Sequence, residues 1–208
     1  MSSFVYRGRG VYWRSEVFDL LTSWALLSFS FALFMRPDLS QLPLSLLYSS
    51  VGVGSAFILH ELAHREVAKK YRLAARYRAW YLGLVITLAV ALLNAFVRLP
   101  ILFAAPGAVV IYGYWGSVSP RAELRIAEAG PLTNIALSVV AWLALTMTPV
   151  GTFTSRELIY YIARINMWIA FFNMLPLPPL DGFKVLKRSP IEWVAIFAAC
   201  VVMLRLVL

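Results

Sequence analysis

Two histidines one helical turn apart, with a glutamate between them, are the residues of this chain best placed to do chemistry. They lie in FILHELAHREVA, Phe57 to Ala68. On a helix, His60 and His64 project from one face, so two imidazoles can bind a single Zn²⁺ with Glu61 beside it. A histidine on a helix is more often just a satisfied polar residue. Here, however, the 2 histidines of the motif are the only ones in 208 residues, and they close an apolar run. Ionisable groups set into an apolar span mark function. The pattern predicts a hydrolytic zinc site in which the metal activates water and polarises a carbonyl while Glu61 carries the proton.

A site of that kind needs three protein ligands and one open position. The single cysteine, Cys200, lies in the last apolar run without a partner, so the ligands must be nitrogen and oxygen. The carboxylates near or within apolar segments are Asp19, Glu128, Glu157, Asp181 and Glu192. Asp181 is favoured, because the prolines of PLPPL end the helix before it and Gly182 after it permits close backbone approach. On spacing alone, Pro-Leu-Asp-Gly is equally a plain turn.

The elements that must position these residues belong to a membrane. With 61% hydrophobic residues, 14% charged and a mean hydropathy of +0.76, the chain is too apolar for an ordinary soluble domain. The net charge of +9 does not call for a nucleic acid, because Lys and Arg cluster beside apolar runs, as in cytoplasmic loops. Residues 17–35 read as a retained first span with a cytoplasmic amino terminus rather than a signal peptide, since MRPDLS follows instead of a small-residue cleavage site. A second span runs from about Leu44 into the histidine motif, and a small-residue face at Gly52, Gly54, Ser55 and Ala56 lets a neighbouring helix approach. Arg65, Lys69, Lys70, Arg72, Arg76 and Arg78 then mark the cytoplasm, which puts His60 roughly 6–14 Å inside the membrane at ~1.5 Å per residue.

Further spans are expected at 80–97, 129–147 (with Pro131 in its first turn), 158–175 and 191–208, with Lys184, Lys187 and Arg188 in a basic loop. Residues 98–116 are apolar but broken by Pro100, Pro106, Gly107, Gly113 and Gly116, and Val109 to Tyr112 favour extended structure. Topology needs this segment. Without a return to the cytoplasmic side through 98–116, Asp181 and the basic loop would lie opposite the histidines, against both zinc geometry and the charge rule. The expected fold is an all-α polytopic membrane protein with about six transmembrane helices and a broken or re-entrant, partly extended segment at 98–116. Residues 1–208 read as a single membrane-embedded domain.

HELAH at 60–64, AGPLTN at 129–134 and FFNMLPLPPLDG at 171–182, in this order, resemble the site-2 proteases, the intramembrane zinc metalloproteases. The resemblance implies one Zn²⁺ per chain held by His60, His64 and Asp181, with Glu61 as catalytic base. It matches Asn173 to an asparagine that helps hold substrate or the developing oxyanion, and Asn134 to one with a packing or a chemical role. It further implies that residues near 104–112 offer an extended edge to substrate. The implied partners are transmembrane protein substrates and the lipid bilayer, with no nucleic acid. The implied location is the cell membrane, multi-pass, with the active site near the cytoplasmic face. The chain departs from the pattern at Phe183, where a second glycine is common, and in the extra span at 80–97; its length fits a compact prokaryotic-type member without a regulatory domain.

The alternative enzyme is a membrane metallopeptidase of the prenyl-protein protease type, which would use a glutamate from a long downstream helix in place of Asp181. A non-catalytic membrane chaperone or metal-binding protein is the alternative outside enzymes; a metal transporter would carry polar residues through several spans.

Overall fold

The computed structural model describes residues 15–35, 39–97, 104–112, 118–147 and 153–207. Helix α1, Glu16–Met35, starts where the Ser15 hydroxyl accepts the Phe18 amide at 3.1 Å. After a short 3₁₀ turn, Leu39–Gln41, helix α2, Leu42–Val53, starts with Pro43 in its first turn. It passes through one π-helical stretch, Gly54–Ile58, into α3, Leu59–Lys70, which carries the histidine motif. Arg72, at φ 57°, turns the chain out of α3.

The basic stretch expected as a loop is partly a strand, β1, Ala74–Ala79. Its side chains alternate: Ala75 and Tyr77 are buried, while Arg76 is exposed and Arg78 pairs with the buried Asp19 at 3.7 Å. Helix α4, Tyr81–Val97, leads to β2, Gly107–Tyr112, where extended structure was expected. The strands pair antiparallel, with Arg76 opposite Val110 and Arg78 opposite Ala108. The Trp80 amide extends the ladder to the Pro106 carbonyl at 2.8 Å. The rest of the 98–116 segment, residues 98–103 and 113–117, lies outside the described residues.

Helix α5, Pro120–Met147, begins nine residues earlier than the span expected at 129, because Pro120 opens it and the Ser119 hydroxyl accepts the Ala122 amide at 3.2 Å. Pro131 is therefore in the helix interior rather than in its first turn. Helix α6, Phe153–Asn173, is followed by α7, Asp181–Arg188, and α8, Pro190–Val207. The expected basic loop is this short helix, which buries Asp181, Gly182 and Val185, leaves Lys187 and Arg188 at the surface, and has Lys184 half-buried between them. Two ion pairs tie this end of the chain to α5, Arg125 to Glu192 at 2.6 Å and Arg188 to Glu123.

Two cores meet at α6. One joins Leu27 and Phe31 of α1, Tyr48 and Val53 of α2, Tyr77 of β1 and Ile165 of α6. The other joins Ala127 of α5, Met167 and Ala170 of α6, Val185 of α7 and Cys200 of α8. Phe96, Leu143, Ile191 and Val202 are exposed on outer faces, as suits helices with lipid around them. Among the described residues, 4 helical stretches are long and apolar enough to cross a membrane: Glu16–Met35, Leu42–Lys70, Pro120–Met147 and Pro190–Val207. The protein is a mainly helical membrane protein.

The glycine that opens β2 is required there. Gly107 has φ +148°, and an added Cβ would meet the Arg78 carbonyl and the Tyr77 hydroxyl. Gly107→Ala should therefore destabilise the fold by about 1–3 kcal/mol. The expected result is a lower unfolding midpoint in detergent and weaker amide protection at 74–79.

Candidate metal centre

His60 and His64 sit one turn apart on α3, their ring centroids 4.6 Å apart, and Asp181 reaches them from the first residue of α7. Asp181 Oδ2 lies 3.3 Å from His60 Nε2 and 3.0 Å from His64 Nε2. The ligand atoms of the three residues all fall within 4.8 Å of one another. The structure thus brings together the residues that the sequence separates by more than a hundred positions. His60, Glu61, His64 and Asp181 are only 3%, 7%, 5% and 6% exposed, so all four are buried in the bundle.

Gly182 makes the approach of Asp181 possible: a side chain there would collide with the Met174 carbonyl at the end of α6. Asp181 Oδ1 accepts a hydrogen bond from Lys184 Nζ at 2.8 Å. Burial alone would raise the Asp181 pKa, and the Lys184 ammonium beside Oδ1 is the strongest influence that pulls it down.

The other ring nitrogens are fixed from α5. His60 Nδ1 donates to Asn134 Oδ1 at 2.5 Å, and His64 Nδ1 donates to the Ile126 carbonyl at 2.6 Å. With both Nδ1 atoms acting as donors, both Nε2 atoms keep a lone pair directed towards Asp181. Asn134 is itself held, because its Nδ2 donates to the Ala56 carbonyl at 2.8 Å and to Asn166 Oδ1 at 3.0 Å. Asn166 in turn donates to Ser55 Oγ at 3.0 Å.

These residues fit a zinc ion. The donor set is two imidazoles and one carboxylate, each imidazole has a partner behind it, and Glu61 Oε2 is buried with no hydrogen-bond partner among the described residues. Room is kept open by Gly130, where an added Cβ would stand 2.5 Å from His60 Nε2 and 2.5 Å from His64 Nε2.

Asn173, the remaining residue singled out in the sequence, is half-buried and donates to the Ile169 carbonyl of its own helix at 3.0 Å. Of the other carboxylates, Asp19 accepts from the Ala79 amide and the Tyr81 hydroxyl, and Glu128 pairs with Arg125. Three participants were not picked out in the sequence. Asn166 could have been noticed as a lone amide among apolar neighbours, and Gly130 lies inside the AGPLTN motif. The Ile126 carbonyl leaves no trace in residue type.

An HExxH helix in a mainly helical membrane protein, completed by a distant aspartate, defines a zinc metalloprotease of the intramembrane kind. Comparisons with known proteins lead to the same class. The model of Peptidase family M50 matches residues 148–195. A Methanocaldococcus jannaschii protein bearing a zinc metalloprotease name is 40% identical over 182 residues, 86% of this chain and 86% of its own. Rip3 of Mycobacterium tuberculosis, also bearing a zinc metalloprotease name, is 28% identical over 187 residues, 85% of this chain and 39% of its own. A second M. jannaschii protein, named zinc metalloprotease MJ0392, is 26% identical over 130 residues, 62% of this chain and 30% of its own. No solved structure matches significantly. The chain belongs to peptidase family M50, the site-2 protease family.

Because Gly130 leaves space beside both Nε2 atoms, Gly130→Ala should displace the imidazoles without loading the surrounding core. The expected outcome is loss of stoichiometric zinc with helical content retained, read by metal analysis and circular dichroism on the same preparation.

Proposed function

We propose that this chain hydrolyses peptide bonds in or near transmembrane segments of membrane proteins, with His60, His64 and Asp181 holding one Zn²⁺ and Glu61 as general base. The observation that carries this is the convergence of three buried ligand atoms within 4.8 Å, next to a glutamate with an unpartnered oxygen. When bound, zinc supplies the Lewis acid that activates water and polarises the carbonyl. Glu61 takes the proton from the attacking water and delivers it to the leaving amine. Asn134 and the Ile126 carbonyl hold the imidazoles in the required tautomer. Asn173 would donate to substrate or to the developing oxyanion by exchanging the Ile169 carbonyl for it.

The chain is read as one membrane-embedded domain of about six crossings in the cell membrane. The four long helices are joined by α4 and α6. At 17 residues and ~1.5 Å per residue, α4 spans ~26 Å, slightly less than a ~30 Å hydrocarbon core. Helix α6 has the length, but Arg156, Glu157 and Arg164 interrupt its apolar character. The basic residues at the end of α3 and along α7 adjoin the metal cluster, which supports a site near the cytoplasmic face.

A transmembrane helix hides its carbonyls in its own hydrogen bonds, so substrate must be unwound before attack. A strand edge can replace the lost bonds. The outer edge of β1 is already taken: the Tyr77 amide donates to Glu16 at 3.1 Å and the Ala79 amide to Asp19 at 3.4 Å. By the alternation of the ladder, Ala108 and Val110 bond β1, while Gly107, Val109 and Ile111 direct their backbone groups to the other side. Among the described residues nothing pairs with that outer edge, so substrate would add there.

Glu61→Gln should retain zinc and lose cleavage by at least ~100-fold, whereas Asp181→Ala should lose zinc as well. Turnover near the wild-type rate in Glu61→Gln would remove the base assignment. For the strand edge, Ile111→Pro deletes an outward amide and should slow cleavage of a transmembrane substrate with zinc content unchanged. Replacing helix-breaking Gly, Pro or Asn near the cut bond with Leu should slow it too; equal rates in both experiments would leave only the metal chemistry.

A further inference from the structure

How a carboxylate binds a metal depends on what holds each of its two oxygens. In Asp181 they are divided: Oδ2 faces the two imidazoles, and Oδ1 accepts from Lys184 Nζ at 2.8 Å. Lys184 follows three residues later on α7, so both side chains lie on one helix face. The pairing differs from an ordinary exposed pair at that spacing. The Asp181 side chain is 8% exposed and the Lys184 side chain 41%, so the lysine stem starts at the surface and carries its ammonium inward to the buried carboxylate.

We propose that Lys184 is a positioning residue that occupies Oδ1 of Asp181, so that the carboxylate offers zinc only Oδ2. The proposal rests on the ligand set given above. A hydrolytic centre with three protein ligands works through a fourth, open position. A carboxylate free to rotate can supply both oxygens and fill that position; one whose second oxygen is held by an ammonium cannot. The sequence shows Lys184 only as one of three basic residues near the membrane, and a role in topology alone would not require its ammonium to meet a ligand.

The test uses the full chain in detergent. Zinc affinity is measured by competition with a chelator, and Co²⁺ is substituted to read coordination from its visible bands, which weaken as coordination rises from four to five. Lys184→Met should weaken the Co²⁺ bands and lower the zinc Kd by ~10-fold, because the freed Oδ1 adds a donor and a positive charge beside the cation is lost. Lys184→Arg, which keeps the charge and a donor, should restore both towards wild type. Wild-type zinc affinity together with an unchanged Co²⁺ spectrum in Lys184→Met would overturn the proposal. If circular dichroism shows that Lys184→Met does not assemble, Lys184→Gln, which lacks the charge, carries the same two measurements with the same expected direction. His60→Ala and Asp181→Ala separate the two levels: wild-type zinc binding in both would overturn the ligand set itself, whatever Lys184 does.

Discussion

An imidazole offered to a metal from inside an apolar helix bundle must have its second nitrogen bonded, since a buried polar group left without a partner costs about 1–3 kcal/mol. That constraint explains more of this protein than the metal ligands do. Both Nδ1 atoms find their partners on α5, one in the Asn134 side chain and one in the Ile126 backbone. Asn134 then needs partners of its own, and it finds them in the π-helical stretch before α3 and in Asn166 of α6. The polar chain runs on through Ser55, whose hydroxyl donates to the Gly52 carbonyl at 2.8 Å. Three elements are thus bound to one another by the need to satisfy two rings.

Helix α5 is the hub of this arrangement. It supplies the two imidazole partners, the Gly130 space beside the Nε2 atoms, and the acidic and basic residues that receive α7 and α8. The π-helical stretch Gly54–Ile58 sits where such irregularities often occur, next to a functional site, and presents the Ala56 carbonyl to α5. On the other side of α3, the small sheet is attached to α1 by Glu16 and Asp19, which do for β1 what a third strand would do.

Much of the centre was legible because it is written in residue types. The two histidines and Glu61 are a spacing pattern, and Asp181 is a carboxylate where prolines stop a helix; the structure brings the three candidate ligands, His60, His64 and Asp181, together. Extended backbone at 107–112 could be read from β-branched residues between glycines. Its partner β1 could not be read the same way, because the charge of Arg72, Arg76 and Arg78 dominates the stretch and suggests a loop, although Ala75, Tyr77 and Ala79 alternate with the arginines. The early start of α5 was hidden for a related reason: PRAELRIAE is polar, so hydropathy marks only the apolar part of a helix that Pro120 and Ser119 open nine residues before. Asn134 was legible as a motif but not as a histidine partner, since that depends on packing between α3 and α5. A backbone carbonyl such as that of Ile126 has no signature in any sequence.

The two halves of the centre are anchored by different forces. His60 and His64 belong to a helix held by burial and by a closed set of internal hydrogen bonds. Asp181 belongs to a short helix whose neighbourhood is tied to α5 by Arg188–Glu123 and Arg125–Glu192, pairs among side chains open to solvent. Exposed pairs of this sort contribute about 0–1 kcal/mol each and are screened over ~8 Å at physiological ionic strength. Dissolved salt therefore loosens the ties of α7 and α8 to α5, and the Arg65–Glu16 pair of α3 with them, while the bonds behind the imidazoles and Val185 in the core lie beyond its reach.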